Sequence, residues 1–330
     1  MLSNFKYFLL LALAALSFAC ESDLDVPFPE HEPRLALNAY FTTEEAPTIY
    51  LNQSVSKDQP LFSNYLVPDA TASLWSEGQL IGDFVYRDTV IQIQNTSGSF
   101  REETLGKYEL VGTQLETGKS YEVRADHPDF PEIRAETLIP SATSMRDFTF
   151  EPEVSRRANE TGTVFEYDNL IKFSFDDPAG EANSYFLEMD IRYSSPGMPD
   201  DTAVYISLGQ PVAADLMSEE LSITQFGSWF RDSLRDGQTI DAVYRFTTSS
   251  FDANLGSWTS SEEIYSISLN LINANELTYQ YLQKIQQQNR ASSQDFFDLF
   301  PPESINVPSN VEGGYGLLGG LSLTRERYEF

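Results

Sequence analysis

Ile49-Tyr50-Leu51-Asn52-Gln53-Ser54-Val55 reads as a strand with one buried face. Ile49, Leu51, Gln53 and Val55 alternate with Tyr50, Asn52 and Ser54, a period of two that a helix does not produce. The same reading extends outward in both directions. Upstream, Leu35-Ala36-Leu37-Asn38-Ala39-Tyr40 is a strand. Downstream, Ala70, Ala72 and Leu74 alternate with Thr71, Ser73 and Trp75, and Glu77-Gly78 turns the chain into Leu80-Ile81. Further short strands fit 84–87, 89–94, 107–110, 121–125 and 133–138. Turn signals at Ser97-Gly98, Thr117-Gly118 and 129–131 separate them. Short strands at this spacing predict an immunoglobulin-like β-sandwich over 34–140. Ile139-Pro140 closes it, and 141–144 is the expected linker.

Residues 145–330 carry longer strands and loops, and form the expected second β-rich domain. Strands fit 169–175, 185–193, 203–208, 239–246 and 264–271. One segment departs from the pattern. Leu277, Tyr281, Leu282 and Ile285 recur at helical spacing, so 273–288 is the main helix, with Asn273 as N-cap and Glu276 as its capping-box partner. The fold class is therefore mainly β. A length of 330 residues agrees with two domains, because one core rarely grows past about 250–300 residues.

Composition narrows the function. Hydrophobic residues make up 41% of the chain and aromatic residues 13%, enough to build a core. The 50 acidic and 21 basic residues give a net charge of −29, which repels phosphate backbones and argues against a nucleic-acid partner. One cysteine allows neither an intramolecular disulfide nor a cysteine-based zinc site. His31 and His127 are the only histidines; one lies in an acidic stretch and the other before a Pro-Asp turn, and both are expected in solvent. No Gly-rich phosphate loop, G-x-S-x-G elbow or H-E-x-x-H motif occurs, so no catalytic residue and no cofactor is expected.

The start of the chain points to a compartment. Lys6 precedes an apolar run, Tyr7 to Leu16, that is shorter than the roughly 20 residues needed to span a bilayer. It fits the h-region of a secretory signal. Ser17-Phe18-Ala19-Cys20 then resembles a lipoprotein signal-peptidase site, with the chain's only cysteine placed to carry the lipid. Residues 1–20 are thus read as a lipoprotein signal ending at a lipidated Cys20. The next stretch, ESDLDVPFPEHEP over 21–33, holds five acids and three prolines and is an extended tether. In lipoproteins of the Bacteroidota, acids just after the lipidated cysteine resemble a surface-export signal, as Glu21, Ser22, Asp23 and Asp25 do here. This favours the cell surface over the periplasmic face.

Two groups of residues are candidate contacts. Asp176, Asp177 and Glu181, in Asp176-Asp177-Pro178-Ala179-Gly180-Glu181, form an oxygen-rich loop of the kind that suits calcium, although the spacing matches no defined calcium loop. The aromatic residues Phe62, Tyr65, Phe226, Trp229, Phe230 and Trp258 lie in loop-like stretches. They are expected to anchor a partner through the loops 57–68 and 216–237, or to stack on sugar rings at Trp229 or Trp258.

The closing stretch carries a resemblance. It runs Phe300-Pro301-Pro302-Glu303-Ser304-Ile305-Asn306-Val307-Pro308-Ser309-Asn310-Val311-Glu312-Gly313-Gly314-Tyr315-Gly316-Leu317-Leu318-Gly319-Gly320. This resembles the closing motif of a Bacteroidota outer-membrane lipoprotein family, the domain of unknown function numbered four-two-four-nine: a proline-containing segment, Ser-Asn, Gly-Gly-x-Gly, then an aromatic-Gly pair. Leu318 stands where the aromatic is usual. Ala70 to Gly78, Gly106-Lys107-Tyr108, Gly118-Lys119-Ser120-Tyr121, Ile139-Pro140, Tyr185-Phe186 and Asp236-Gly237-Gln238 fall in the family's order. The glycines by themselves read as a tight closure of the last strands. The resemblance implies an accessory lipoprotein, anchored in the outer membrane and paired with a TonB-dependent receptor in uptake. The alternative is a cell-surface glycan-binding module. No catalytic or ligand residue carries over from the family.

Overall fold

The strands predicted from alternation bury the faces the pattern assigns to them. In a computed structural model describing residues 31–56, 65–94, 100–158, 164–194, 203–205, 222–223, 227–231, 235–251, 263–293 and 306–330, Leu35, Leu37, Ala39 and Phe41 of β1 (Leu35–Phe41) point inward. So do Ile49 and Leu51 of β2 (Thr48–Gln53), Ala72 and Leu74 of β3 (Thr71–Ser76), and Tyr121, Val123 and Ala125 of β7 (Ser120–His127). Each large side chain among them, such as Leu37, Phe41, Ile49 or Val123, contributes roughly 1.5–3 kcal/mol on full burial. The protein is mainly β, with one helix, α1 (Glu276–Ser293), among the described residues.

Two sheets enclose the first core. One contains β1, β2, β6 (Phe100–Glu109) and β5 (Val85–Gln94) in that order. The other runs from β17 (Val311–Glu312) through β8 (Phe130–Leu138), β7 and β3 to β4 (Gln79–Asp83). Side chains from both meet in one cluster that includes Leu37, Phe41, Leu74, Val123, Ile133 and Leu318. At the β3–β4 turn, Glu77 and Gly78 both adopt positive φ, 51° and 76°, as the predicted tight turn requires.

A second core is built after the linker. β9 (Met145–Ala158), β10 (Val164–Asp176) and β15 (Thr239–Phe251) form a three-stranded sheet. It packs Ile171, Phe173, Phe175, Ile240, Tyr244 and Phe246 against Tyr185, Leu187 and Met189 of β11 (Asn183–Ser194) and Ile267, Leu269 and Leu271 of β16 (Glu263–Asn275). β12 (Ala203–Tyr205), β13 (Ser222–Ile223) and β14 (Gly227–Arg231) extend the β11 edge.

The two cores share one sheet. β18 (Tyr315–Glu329) pairs parallel with β1 through its first residues, Tyr315 to Gly320. Its remainder pairs antiparallel with β16, from Leu321↔Ala274 to Glu329↔Ser266. The glycine-rich motif therefore completes the first core as well as the last strands, and Pro33–Phe330 forms one compact unit. The cores divide at 141–144, which is free of regular structure but not free of contacts. The Ser141 carbonyl accepts bonds from Asn273 Nδ2 at 3.2 Å and Ser322 Oγ at 3.1 Å, while Ser141 N and Oγ donate to Glu181 at 3.2 and 2.6 Å. A polar seam thus fills the space between the two cores and holds the linker in place.

The helix starts later than its sequence predicts. Asn273 belongs to β16, where its amide donates to Asn183 Oδ1 at 2.9 Å. The N-cap is Asn275, whose Oδ1 accepts from Thr278 N at 2.9 Å and Thr278 Oγ1 at 2.8 Å. The inward alternation Ile267, Leu269, Leu271 runs on through Asn273, which keeps the chain in strand for two more residues. α1 lies on the outer face of the shared sheet, where Gly320 N donates to Thr278 Oγ1 at 3.2 Å and Tyr281 Oη donates to Asn38 at 3.2 Å.

Candidate functional site

The aromatic candidates separate into different environments. Cys20, Phe62, Phe226 and Trp258 lie outside the described residues. Tyr65 is half-buried, and its segment is tied to β2: Gln53 N donates to the Tyr65 carbonyl at 2.8 Å and Val67 N to the Leu51 carbonyl at 3.2 Å. Tyr108 secures the same segment, donating to Val67 O at 2.6 Å and accepting from Ala70 N at 3.0 Å. Burial pushes the Tyr108 phenol up to about 12. Phe230 is on β14, opposite Tyr185 of β11.

Trp229 is a core residue and not a loop contact. It is 8% exposed, with Phe186 at 4.8 Å and Tyr279 of α1 at 5.3 Å between ring centroids. The stretch around it forms the short strand β14 beside β11, closed by the Arg231–Glu276 ion pair at 2.7 Å. Burial between sheet and helix removes Trp229 from any sugar platform or partner surface.

The three carboxylates of the calcium candidate do not converge. Asp176 takes Arg146 in a two-pronged pair and accepts from Thr239 Oγ1 at 2.6 Å. These donors hold its carboxyl down at about 2. Asp177 points the other way and is buried. It accepts from the Tyr185 hydroxyl, from Gly237 N at 2.9 Å and from Asn183 Nδ2 at 3.4 Å. Desolvation nevertheless raises its carboxyl, since burial opposes the charged form. Glu181 is committed to Ser141 in the seam. The adjacent carboxylates occupy opposite sides of the chain, as a strand end dictates. Among the described residues no group of three or more His, Cys, Asp or Glu side chains is placed to hold a metal.

His127 is buried, at 7% exposure, and not solvated as its turn context predicts. Asp129 N donates to Nδ1 at 3.1 Å, which puts the proton of the neutral ring on Nε2, 3.1 Å from Asp69. Nδ1 holds the β7–β8 turn and Nε2 ties it to Asp69, just before β3, with Phe130 packed 5.0 Å away. The imidazole has no free lone pair with which to act as a general base.

The structure brings forward residues that motif reading passes over. On the outer face of the five-stranded sheet, Trp75 is partly exposed, with the Arg124 guanidinium 4.2 Å from its ring centroid and its Nε1 donating to Ser73 Oγ at 2.9 Å. Trp75, Glu122 and Glu136 stand in one row across β3, β7 and β8. This row borders a groove of about 420 Å³ that Gly78 and Lys119 also line. The signal was present in the sequence: the alternation that turns Ala70, Ala72 and Leu74 inward turns Thr71, Ser73 and Trp75 outward. A second aromatic surface lies on the outer face of β1, β2 and β18, where Tyr40, Tyr50 and Tyr315 are 42%, 44% and 46% exposed.

Comparison with known proteins agrees with the architecture in extent. The model of one family, described as "Domain of unknown function (DUF4249)", matches residues 21–327. No curated protein matches the chain.

Proposed function

The chain belongs to the DUF4249 family, and from that premise we propose a lipid-anchored accessory protein of the outer membrane that works beside a TonB-dependent receptor. In this reading it captures or hands over substrate and catalyses no reaction. The observation that carries the proposal is the position of the only cysteine. Cys20 directly precedes the family match, which begins at residue 21 with the acidic, proline-rich tether.

The physical logic follows from the tether. Thirteen residues, 21–33, reach at most roughly 45 Å when fully extended. A body held at that distance from the membrane meets a neighbouring receptor at high effective concentration, so modest intrinsic affinity is sufficient. Residues 57–68 and 216–237, with Phe62, Tyr65, Phe226 and Phe230, are the proposed contacts, together with Trp258. The exposed Tyr40, Tyr50 and Tyr315 add a rigid amphipathic surface of the kind that protein interfaces favour. A net charge of −29 keeps nucleic acid out of the partner list. The cell surface is the proposed location, ahead of the periplasmic face.

Metabolic labelling with palmitate tests the anchor. Labelled chain in the outer-membrane fraction is expected for the wild type, with no label on Cys20→Ala. Persistent labelling of Cys20→Ala contradicts the assignment. In-cell cross-linking tests the partner, with an adduct to a TonB-dependent receptor expected. Protease shaving of intact cells tests the orientation, with cleavage expected.

A further inference from the structure

The outer face of the five-stranded sheet carries an indole ring beside two carboxylates in one row. Trp75, Glu122 and Glu136 are opposite one another on β3, β7 and β8. Neighbouring strands are about 4.8 Å apart, so the row extends roughly 10 Å. Glu122 and Glu136 place two carboxylates directly across a strand pair, an arrangement that costs stability because like charges face each other. Glu122 is held by Arg124, and Arg124 in turn lies over Trp75 at 4.2 Å. The indole is fixed from two sides, by Arg124 on its ring and by Ser73 Oγ on its Nε1. A ring braced in this way keeps its orientation without a ligand, which lowers the entropy lost on binding.

The groove beside this row has the dimensions and the chemistry of a ligand site. Its volume of about 420 Å³ lies within the roughly 300–1,000 Å³ typical of small-molecule pockets. Trp75 is the one large apolar wall, and the other lining groups are polar or glycine, including Lys119, Glu122 and Glu136. An apolar ligand would leave these groups without partners. A strongly charged ligand would meet both signs at once, because Lys119 and three glutamates, Glu77, Glu122 and Glu136, share the groove while Arg124 backs its wall. A neutral molecule with one apolar face and many hydroxyls satisfies all of them.

We propose that the row Trp75, Glu122 and Glu136 is a carbohydrate-binding site, taking a neutral hexose ring on the open face of Trp75 and its hydroxyls on the two carboxylates. C–H groups on one face of the ring cover the indole, and hydroxyls donate hydrogen bonds to the carboxylates of Glu122 and Glu136. The site stands on this geometry alone and is independent of the anchor and of the receptor.

Titration of the full chain in a sugar-free detergent tests it, with calorimetry against maltohexaose, cellohexaose, laminarihexaose and mannohexaose. Saturable binding of at least one is expected. Trp75→Ala should weaken it roughly tenfold, and Trp75→Phe should lose less. Glu136 is exposed, so Glu136→Gln is expected to melt like the wild type and still to bind several-fold more weakly. Failure of all four oligosaccharides to bind overturns the proposal. So does wild-type affinity in both Trp75→Phe and Glu136→Gln, or saturable binding of spermidine in place of every sugar.

Discussion

Gly316 of β18 lies so close to Leu37 of β1 that a methyl group on its α-carbon would overlap the Leu37 carbonyl oxygen. The parallel pairing that joins the C-terminal strand to the first core depends on this approach. Gly316 also has φ of +107°, a conformation that residues with a side chain rarely adopt. Gly316→Ala combines backbone strain with a backbone clash and is expected to cost about 3 kcal/mol or more. Gly112 has a similar φ of +84° but open space around it, so Gly112→Ala should cost only about 1–2 kcal/mol. Denaturant midpoints of the two variants measure the difference.

Asp176 and Asp177 are expected to titrate in opposite directions from the ordinary aspartate value of 3.8. Asp176 is depressed to about 2 by Arg146 and Thr239, so its contribution to stability is present above pH 3.8 and is lost as pH falls through about 2. Asp177 is raised by burial, so its contribution is full below pH 3.8 and is lost as pH rises through its higher folded value. Carboxyl-carbon NMR should find one aspartate below and the other above the ordinary range. Asp176→Asn should flatten the loss of stability between pH 4 and pH 2 that the wild type shows.

Asn275 and Asn273, two residues apart, should fail in different ways. Asn275 caps α1 and also donates to Thr137 Oγ1 and Leu138 O, each at 3.0 Å. Asn275→Ala is expected to cost about 2 kcal/mol, the upper end for a cap. Amide exchange at Thr278 should accelerate. Asn273→Ala removes one buried donor from Asn183 Oδ1 and one from the Ser141 carbonyl, which keeps Ser322 Oγ, and should cost about 1–3 kcal/mol. The first turn of the helix should keep its protection.

Trp229 and Tyr50 separate packing from surface. Trp229→Ala opens a cavity between β14, β11 and α1, with an expected cost of about 3–5 kcal/mol. Tyr50→Ser changes an exposed ring and should alter stability by less than about 0.5 kcal/mol. Thermal melts of the two variants should therefore differ by several degrees.

Most of the strand framework was legible because one face of each strand is buried and the other is not. β1, β2, β3 and β7 alternate cleanly for this reason. β14 escaped because five residues, Gly227 to Arg231, are too few to display a period. β18 escaped because Gly316, Gly319 and Gly320 replace inward and outward side chains with close backbone approach, which reads as closure and not as strand. The cap was misplaced by two residues because Asn273 and Asn275 are equally good cap types, and only the continuing register of β16 decides between them. The acidic triplet read as one loop because sequence adjacency hides direction: Asp176 faces Arg146, while Asp177 faces Tyr185. Trp75 was legible as outward-facing, but its bracing by Arg124 comes from the register of β3 with β7.

The central claim is that the chain works beside a TonB-dependent receptor from a lipid anchor. Affinity purification of the C-terminally tagged chain from native membranes in mild detergent, with quantitative mass spectrometry, tests it most directly. The account predicts a TonB-dependent receptor recovered in stoichiometric amount, and its loss when Cys20→Ala releases the chain from the membrane. Recovery of the chain alone, from a membrane in which such receptors are abundant, would contradict it.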